Sequence, residues 1–196
     1  MTRAPVSLRW HSGDIDLIGS FRTESSEVLY SNRVIGDVSK SDIKDLKTLA
    51  AANPRKRVRL CAHLHTGDAL HEMLVVHERS AYVRPHKHPG KSESTHVIEG
   101  EVDVVVFSDD GEIVTVLECG EFDSGRTFYY RMAEPLFHSL LIRTPVLIFH
   151  ETTNGPFRRA DTVFAEWSPA ESDSEGVGSY LRDLQVRVAQ RQARVR

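Results

Sequence analysis

Three side chains with the chemistry of metal ligands lie close together in this chain: His86, His88 and Glu93. Two imidazoles at positions i and i+2 of an extended segment project from the same face, and a carboxylate five residues later can return to that face from the next strand. His138, three residues after Pro135, is placed to supply a fourth ligand. Neutral imidazole and carboxylate suit a divalent first-row metal, and four ligands leave positions on a six-coordinate ion open to water or substrate.

The spacing of these residues resembles the first sequence motif of the cupins. In that motif His-x-His is followed after four residues by Glu and after six more by Gly, which is Gly100 here. The second cupin motif is only partly present, because its Pro-x-Gly-x-x-His core is reduced to Pro135-Leu136-Phe137-His138. The resemblance implies a cupin-type double-stranded β-helix, or jelly roll, that holds one divalent transition metal. The residue types leave Fe, Mn, Ni, Cu and Zn open as its identity.

A longer stretch, roughly residues 28 to 168, is similar to the WbuC family of cupin-fold metalloproteins. The similarity rests on short blocks within and on both sides of the metal motif: Cys61-Ala62-His63, Leu70-His71-Glu72-Met73, Tyr82-Val83-Arg84-Pro85-His86-Lys87-His88, Lys91-Ser92-Glu93-Ser94, His96-Val97-Ile98-Glu99-Gly100 and Glu151-Thr152-Thr153-Asn154-Gly155-Pro156-Phe157. That family is associated with bacterial surface-polysaccharide clusters. The resemblance therefore implies a small-molecule substrate related to sugars.

The elements that must position these ligands are mainly strands. Short β-rich runs recur from Arg57 to Glu151, and residues 102–107 and 113–117 are joined by Ser108-Asp109-Asp110-Gly111-Glu112, which is typical of a hairpin. Two further β-rich runs are residues 73–77 and 80–84. Many short strands at regular spacing predict a sandwich or a closed roll, which can bring distant strands together around one interior.

Two helices are expected outside the strand region. The first begins near Ser39 or Ser41, which can cap it, and ends at Asn53-Pro54. The second runs from about Ser179, after a loop at residues 172–176. A chain of 196 residues is then one domain with extensions. We expect an N-terminal arm and helix at 1–57, a cupin barrel at 58–168 and a C-terminal loop and helix at 169–196.

Several side chains near the ligands are candidates for binding substrate. If His86 and His88 face inward, the same parity turns Tyr82 and Arg84 inward, while Lys91 lies in the loop between the ligands. Arg84 and Lys91 would suit a substrate with a carboxylate, phosphate or pyrophosphate. An equally good alternative is that Arg84 pairs with an acidic side chain: Glu72, Glu99 or Glu151.

Proton-transfer candidates come from later strands. His150 shares a face with Val146 and Ile148 and is predicted to line the cavity, and Glu151 is adjacent to it. Tyr130 is predicted to reach the cavity as well. We expect these three to act in proton transfer or to support the ligands.

Bulk properties exclude several classes of protein. A net charge of −3 does not favour nucleic-acid binding, which needs a concentrated basic face. No apolar run approaches the ~20 residues that span a bilayer, and the N-terminal residues lack the apolar core of a signal peptide. Two cysteines are too few for a disulfide scaffold, so we expect reduced thiols and a cytoplasmic protein. A homodimer is also expected, since closed rolls commonly pair through sheet edges.

Three functions compete at this stage. The first is a metalloenzyme that isomerises or epimerises an activated or phosphorylated sugar, with the metal as Lewis acid. The second is an Fe(II)-dependent dioxygenase, and the third is a non-catalytic ligand-binding cupin. The fold alone does not choose among them.

Overall fold

The computed structural model describes residues 21–33 and 35–195. Within these ranges the chain forms twelve β-strands and two α-helices. In chain order they are β1 (Phe21–Thr23), β2 (Val28–Ser31), α1 (Lys40–Ala52), β3 (Arg57–Cys61), β4 (Leu70–Glu78), β5 (His86–Lys87), β6 (Glu93–Glu99), β7 (Glu101–Phe107), β8 (Ile113–Gly120), β9 (Tyr129–Met132), β10 (Phe137–Ile142), β11 (Val146–Asn154), β12 (Val163–Phe164) and α2 (Ser174–Val195).

The strands form two sheets. Seven strands make the wider sheet in the order β1-β2-β3-β4-β11-β6-β9, and five make the other in the order β12-β5-β10-β7-β8. All but one of the neighbouring pairs are antiparallel, the exception being β2 with β3. Buried apolar side chains from both sheets meet between them: Tyr30, Cys61, Met73, Val75, Ala81, Val97, Val102, Val104, Cys119, Ile142, Leu147 and Phe149.

Helix α1 covers the outer face of the wider sheet. Ser39 caps its first turn in a capping box with Asp42, and Asn53 caps its end. Leu46 and Ala50 pack on outward-facing strand residues that include Val76 and Ile148. The central strands of this sheet are therefore buried on both faces.

Helix α2 covers the outer face of the second sheet. Its Leu184 and Val188 are fully buried against a surface that includes Phe107 and Leu141. The helix begins at Ser174, so the loop predicted at 172–176 contains its first turn. Asp173 accepts a hydrogen bond from the backbone of Gly176 at 2.9 Å, which supports this earlier start.

The fold class is confirmed: the chain is mainly β, its two sheets form a jelly roll, and a helix lies towards each end of the described chain. The division into segments 1–57, 58–168 and 169–196 stays a prediction, and residues 1–20 of the predicted arm lie outside the described residues. The strand expected at 80–84 is absent, because residues 81–85 are irregular and regular pairing resumes only at His86. Neither described helix has the length and hydrophobicity needed to cross a membrane.

Candidate metal centre

The sheet topology brings the four predicted ligands together. His86 lies on β5 directly opposite His138 on β10, and their ring centroids are 4.5 Å apart. The His88 ring centroid is 4.9 Å from that of His86. Glu93 begins β6 in the facing sheet and is buried. Strands that are distant in sequence therefore place three imidazoles and one carboxylate around one point between the sheets.

Backbone carbonyls orient all three imidazoles. The Nδ1 atoms of His86 and His138 lie 2.8 Å from Arg84 O and 3.0 Å from Leu136 O. The Nδ1 atom of His88 lies 3.3 Å from Asp161 O. A carbonyl only accepts, so each Nδ1 carries a proton, and a ring that is neutral then keeps the Nε2 lone pair for a metal. This is the arrangement that prepares histidines for a metal, and the donor set fits a divalent transition ion.

Glu93 is hydrogen-bonded within the cluster. Its Oε1 atom lies 3.0 Å from His138 Nε2, and its Oε2 atom lies 3.8 Å from His88 Nε2. In the described part of the chain, no three His, Cys, Asp or Glu side chains are already spaced as a bound ion would hold them. A metal would therefore have to replace the hydrogen bond between Glu93 and His138, with small shifts of these side chains.

The electrostatics of the cluster favour neutral rings at His86 and His88, but they favour the protonated form of His138 beside the ionised Glu93 carboxylate. Burial, followed by the neighbouring imidazoles, lowers the pKa of His86 to about 3. Burial also lowers the pKa of His88. Burial alone would raise the pKa of Glu93, but the hydrogen bond from His138 and the three imidazoles outweigh it and lower the pKa to about 2. For His138, burial lowers the pKa but the contact with Glu93 raises it more.

A cavity of about 490 Å³ opens beside the cluster, between the two sheets. Tyr130 lines it, and so does Glu151, which the sequence indicated only as the neighbour of His150. They occupy the same row of the wider sheet, because Thr95 pairs with Glu151 on one side and with Tyr130 on the other. Burial and the charge of Glu93 raise the pKa of Glu151 to about 7. Burial raises the pKa of Tyr130 well above its usual value, so its hydroxyl stays protonated.

His150 does not lie where it was expected. It shares a face with Val146 and Ile148, as the sequence indicates, but that face is the outer one, which carries α1. The His150 Nε2 atom is 3.9 Å from Glu72 Oε1, outside the cavity. The prediction that His150 lines the cavity is wrong, and nothing supports it as a proton carrier there.

Tyr82 is also directed away from the cavity. Its hydroxyl donates to Pro169 O at 3.1 Å, and its ring packs at 6.0 Å from that of Tyr180 on α2. The expectation that Tyr82 binds substrate is therefore wrong. The parity that was extended from His86 fails because residues 81–85 do not form a strand.

Arg84 and Lys91 border the cavity but are engaged. Arg84 donates to Ser168 Oγ at 3.1 Å and to Ala165 O at 3.0 Å. It therefore holds the segment 165–168 in place and, among the described residues, forms no ion pair with an acidic side chain. Lys91 donates to Pro156 O at 2.8 Å and lies 3.4 Å from Asp161 Oδ2. Their role as anion ligands stays a prediction that would require them to leave these partners.

Sequence reasoning missed two further residues of the cavity wall, Arg59 and His77. Arg59 alternates with buried Val58 and Leu60 along β3, a pattern that usually places the charged residue in solvent. The alternation along β3 predicts one charged and one apolar face but does not say what each face contacts. In the structure the charged face lies towards the cavity, and the apolar face packs beneath α1.

Comparisons with known proteins give a partial family match. Residues 38–118 match a family described as a domain of unknown function, DUF6016, which is less than half of the chain. No curated protein sequence matches the chain. The match spans the whole of α1, strands β3 to β7 and most of β8, and it includes three of the four predicted ligands.

Solved structures that resemble the chain are distant. A protein from Shewanella oneidensis is 10% identical, with a TM-score of 0.43 over 53% of this chain and 66% of that one. CapF, solved with 3-isopropenyl-tropolone, is 15% identical, with a TM-score of 0.44 over 56% and 31%. Oxalate decarboxylase from Bacillus subtilis, studied for its Mn(II) centres, is 20% identical, with a TM-score of 0.39 over 50% and 24%. This chain thus spans only part of each protein, and at these scores none of them indicates what it binds or does.

Proposed function

We propose that this protein is a metal-dependent enzyme that moves a proton on a small carbonyl-bearing sugar derivative, in the manner of an isomerase or epimerase. The observation that carries the proposal is Glu151, a carboxyl group that lines the cavity beside the ligand cluster, has a raised pKa and is not used by the cluster. A site for binding alone has no need of a cavity-lining carboxyl group that is free to exchange a proton.

The cluster of His86, His88, Glu93 and His138 would hold the metal. When bound there, a divalent transition ion supplies Lewis acidity to an oxygen of the substrate, which makes the adjacent C–H more acidic. The three oriented Nε2 atoms and the Glu93 carboxylate are the donors, and the cavity gives a substrate access to the remaining positions.

Glu151 would act as the base and Tyr130 as a donor. A carboxyl with a pKa of about 7 is partly ionised near neutral pH, so it can both accept and return a proton. Tyr130 stays protonated and lies two strands away in the same row, where its hydroxyl can donate to a substrate oxygen. The similarity to the WbuC family directs the choice of substrates to nucleotide sugars and sugar phosphates.

Metal analysis tests the first half of the proposal. We expect about one equivalent of metal in protein purified without an affinity tag, and none in a His86→Ala, His138→Ala double variant. His96→Ala is the matched control, because His96 lies on the outer face of β6 and should leave metal content unchanged. Equal metal in the double variant and the control would show that the ion is not held by this cluster.

Hydrogen exchange tests the second half. Metal-loaded protein is incubated with nucleotide sugars and sugar phosphates in D₂O, and deuterium uptake at carbon is followed by NMR. Glu151→Gln should slow uptake by about 100-fold or more, the usual contribution of a positioned base. Glu72→Gln, on the outer face of β4, should not slow it. Oxygen consumption by iron-loaded protein, without deuterium uptake, would favour the dioxygenase alternative; substrate binding without either reaction would favour a binding module.

A further inference from the structure

The side of the cavity formed by β3 carries an excess of positive charge. Three arginines and two glutamates line this wall, which leaves one positive charge uncompensated: Arg55, Arg57, Arg59, Glu27 and Glu171. Arg57 and Arg59 belong to β3, which extends the wider sheet beyond β4 and away from the histidine cluster, and the other three residues lie in the adjoining loops.

The charge without an ion pair is that of Arg59, which is exposed on β3 and interacts at longer range with Glu151. Arg55 and Arg57 each form ion pairs with both carboxylates of this wall; Arg55 lies 3.0 Å from Glu27 and Arg57 lies 3.1 Å from Glu171. The side chain of Arg59, by contrast, has no hydrogen-bond or ion-pair partner among the described residues. A guanidinium that borders a cavity without a partner presents a planar set of donors suited to an anion.

His77 supplies a second, independent observation at the same place. It lies directly opposite Arg57 across β3 and β4, lines the cavity and is only 7% exposed. Its Nδ1 atom is buried and has no hydrogen-bond partner in the described part of the chain. Buried polar atoms are rarely left without a partner, so we take this nitrogen as a contact point for a ligand that the described residues do not provide.

The distance from this wall to the histidine cluster limits the ligand. Arg59 lies in the same row of the sheet as Phe149 of β11, while Glu93 lies in the row of Thr153. Four residue steps along the strands separate the two rows by about 13 Å, and the three strand spacings from β3 to β6 add about 14 Å across the sheet, so the two positions lie about 19 Å apart. A ligand that touches both ends must therefore be elongated, and the cavity of about 490 Å³ has room for one.

We propose that Arg59 and His77 form an anion subsite that holds the phosphoryl group of the substrate, whose oxygen-bearing end lies at the histidine cluster. A phosphoryl group fits best because its several oxygens can accept from the guanidinium fork and from the ring nitrogen together. This inference names the substrate class, and for the position of the reacting end it rests on the proposed function.

Calorimetric titration with inorganic phosphate tests the subsite, using both the protein as purified and protein treated with a chelator. We expect Arg59→Gln to weaken phosphate binding at least tenfold in both preparations. His77→Phe, which keeps a ring but removes the nitrogens, should weaken it less. The matched control is Arg182→Gln, which removes the same charge from the exposed face of α2 and should change nothing.

Two results would overturn the subsite: absence of phosphate binding by the wild-type protein, or equal loss in Arg59→Gln and Arg182→Gln. Circular dichroism of each variant excludes misfolding, and Arg59→Lys, which keeps the charge but loses the fork, should bind with intermediate affinity. Because the chelated protein needs no metal, this titration decides on Arg59 even if the histidine cluster binds none.

A distance measurement then links the subsite to the proposed function. In Mn(II)-loaded protein, the relaxation of the ³¹P nucleus reports its distance from the metal. We expect the bound phosphate to lie several ångströms beyond direct contact with the ion. Relaxation typical of direct coordination would place the phosphate on the metal and contradict the subsite, whereas failure to load Mn(II) or any other divalent ion would contradict the proposed function instead.

Discussion

His77 is a titratable side chain whose environment can be measured without a metal or a substrate. Burial, followed by the charges of Arg59 and Arg55, lowers its pKa from 6.5 to about 4. Between these two pH values the unfolded chain binds a proton that the folded protein does not. The free energy of unfolding contributed by this group is therefore fully present above pH 6.5 and falls as the pH is lowered towards 4.

Replacing His77 by Phe should remove this dependence. Relative to wild type, the variant should gain stability as the pH falls from 7 to 4.5, with a limiting slope of about 1.4 kcal/mol per pH unit. Urea unfolding in phosphate-free buffer at several pH values measures the difference, and His96→Phe, at an exposed position, is the control. A difference between His77→Phe and wild type that does not change with pH would show that His77 titrates normally.

The sequence predicted the positions of the metal ligands better than the directions of the side chains next to them. The spacing of His86, His88 and Glu93 is a short-range pattern that requires only local strand geometry. Tyr82 precedes them within an irregular segment, where side-chain alternation no longer applies. Its direction is set instead by Pro169 and Tyr180, contacts from the other end of the chain that no local pattern contains.

Gly100 connects β6 to β7 and so determines the position of the whole second half of the roll. Its φ angle is +90°, and a Cβ atom there would lie 2.3 Å from Val146 O and 2.5 Å from Thr144 Oγ1. Thr144 Oγ1 also accepts a hydrogen bond from Glu101 N at 2.9 Å, so it cannot move away without losing that contact. Glycine is therefore required both for the backbone angle and for the close approach.

Gly100→Ala should destabilise the protein by more than the strain of a positive φ angle alone, which is about 1–3 kcal/mol. Gly125→Ala separates the two effects, because Gly125 has a φ angle of +73° but no atom within 4 Å of the added Cβ. Thermal and urea unfolding of both variants gives the comparison. Equal destabilisation would mean that the contact with Val146 relaxes freely and that only the backbone angle matters.

Because α1 covers the outer face of the wider sheet, the sequence alone does not show which face of β11 lines the cavity. On β11, Leu147 and Phe149 face the interior while Ile148 faces α1, so both faces are apolar. A strand buried on both sides gives no alternation that marks the cavity. Glu151 and His150 are adjacent on opposite faces, and only the packing of α1 shows that Glu151 is the inward one.

The outside of the molecule contains an apolar patch at one edge of the wider sheet. It consists of four large side chains that are between 39% and 70% exposed: Ile98, Phe122, Phe128 and Tyr129. The rings of Phe122 and Phe128 are 5.1 Å apart, so the patch is continuous there. Tyr129 belongs to β9, the edge strand of the sheet. Exposed edges that carry apolar side chains commonly mediate pairing.

The predicted homodimer can be tested at this patch. If a second copy of the chain covers it, light scattering should give about twice the chain mass of 22.1 kDa. Tyr129→Asp would place a charge in the middle of the interface and should shift the population to monomer. Val186→Asp introduces the same charge at a residue of α2 that is 54% exposed, and it should leave the monomer population unchanged. A wild-type mass equal to that of one chain would contradict the dimer hypothesis. Two copies cannot bury an uncompensated pair of carboxylates at low cost. A Tyr129→Asp dimer as stable as the wild-type dimer would therefore show that the interface lies elsewhere.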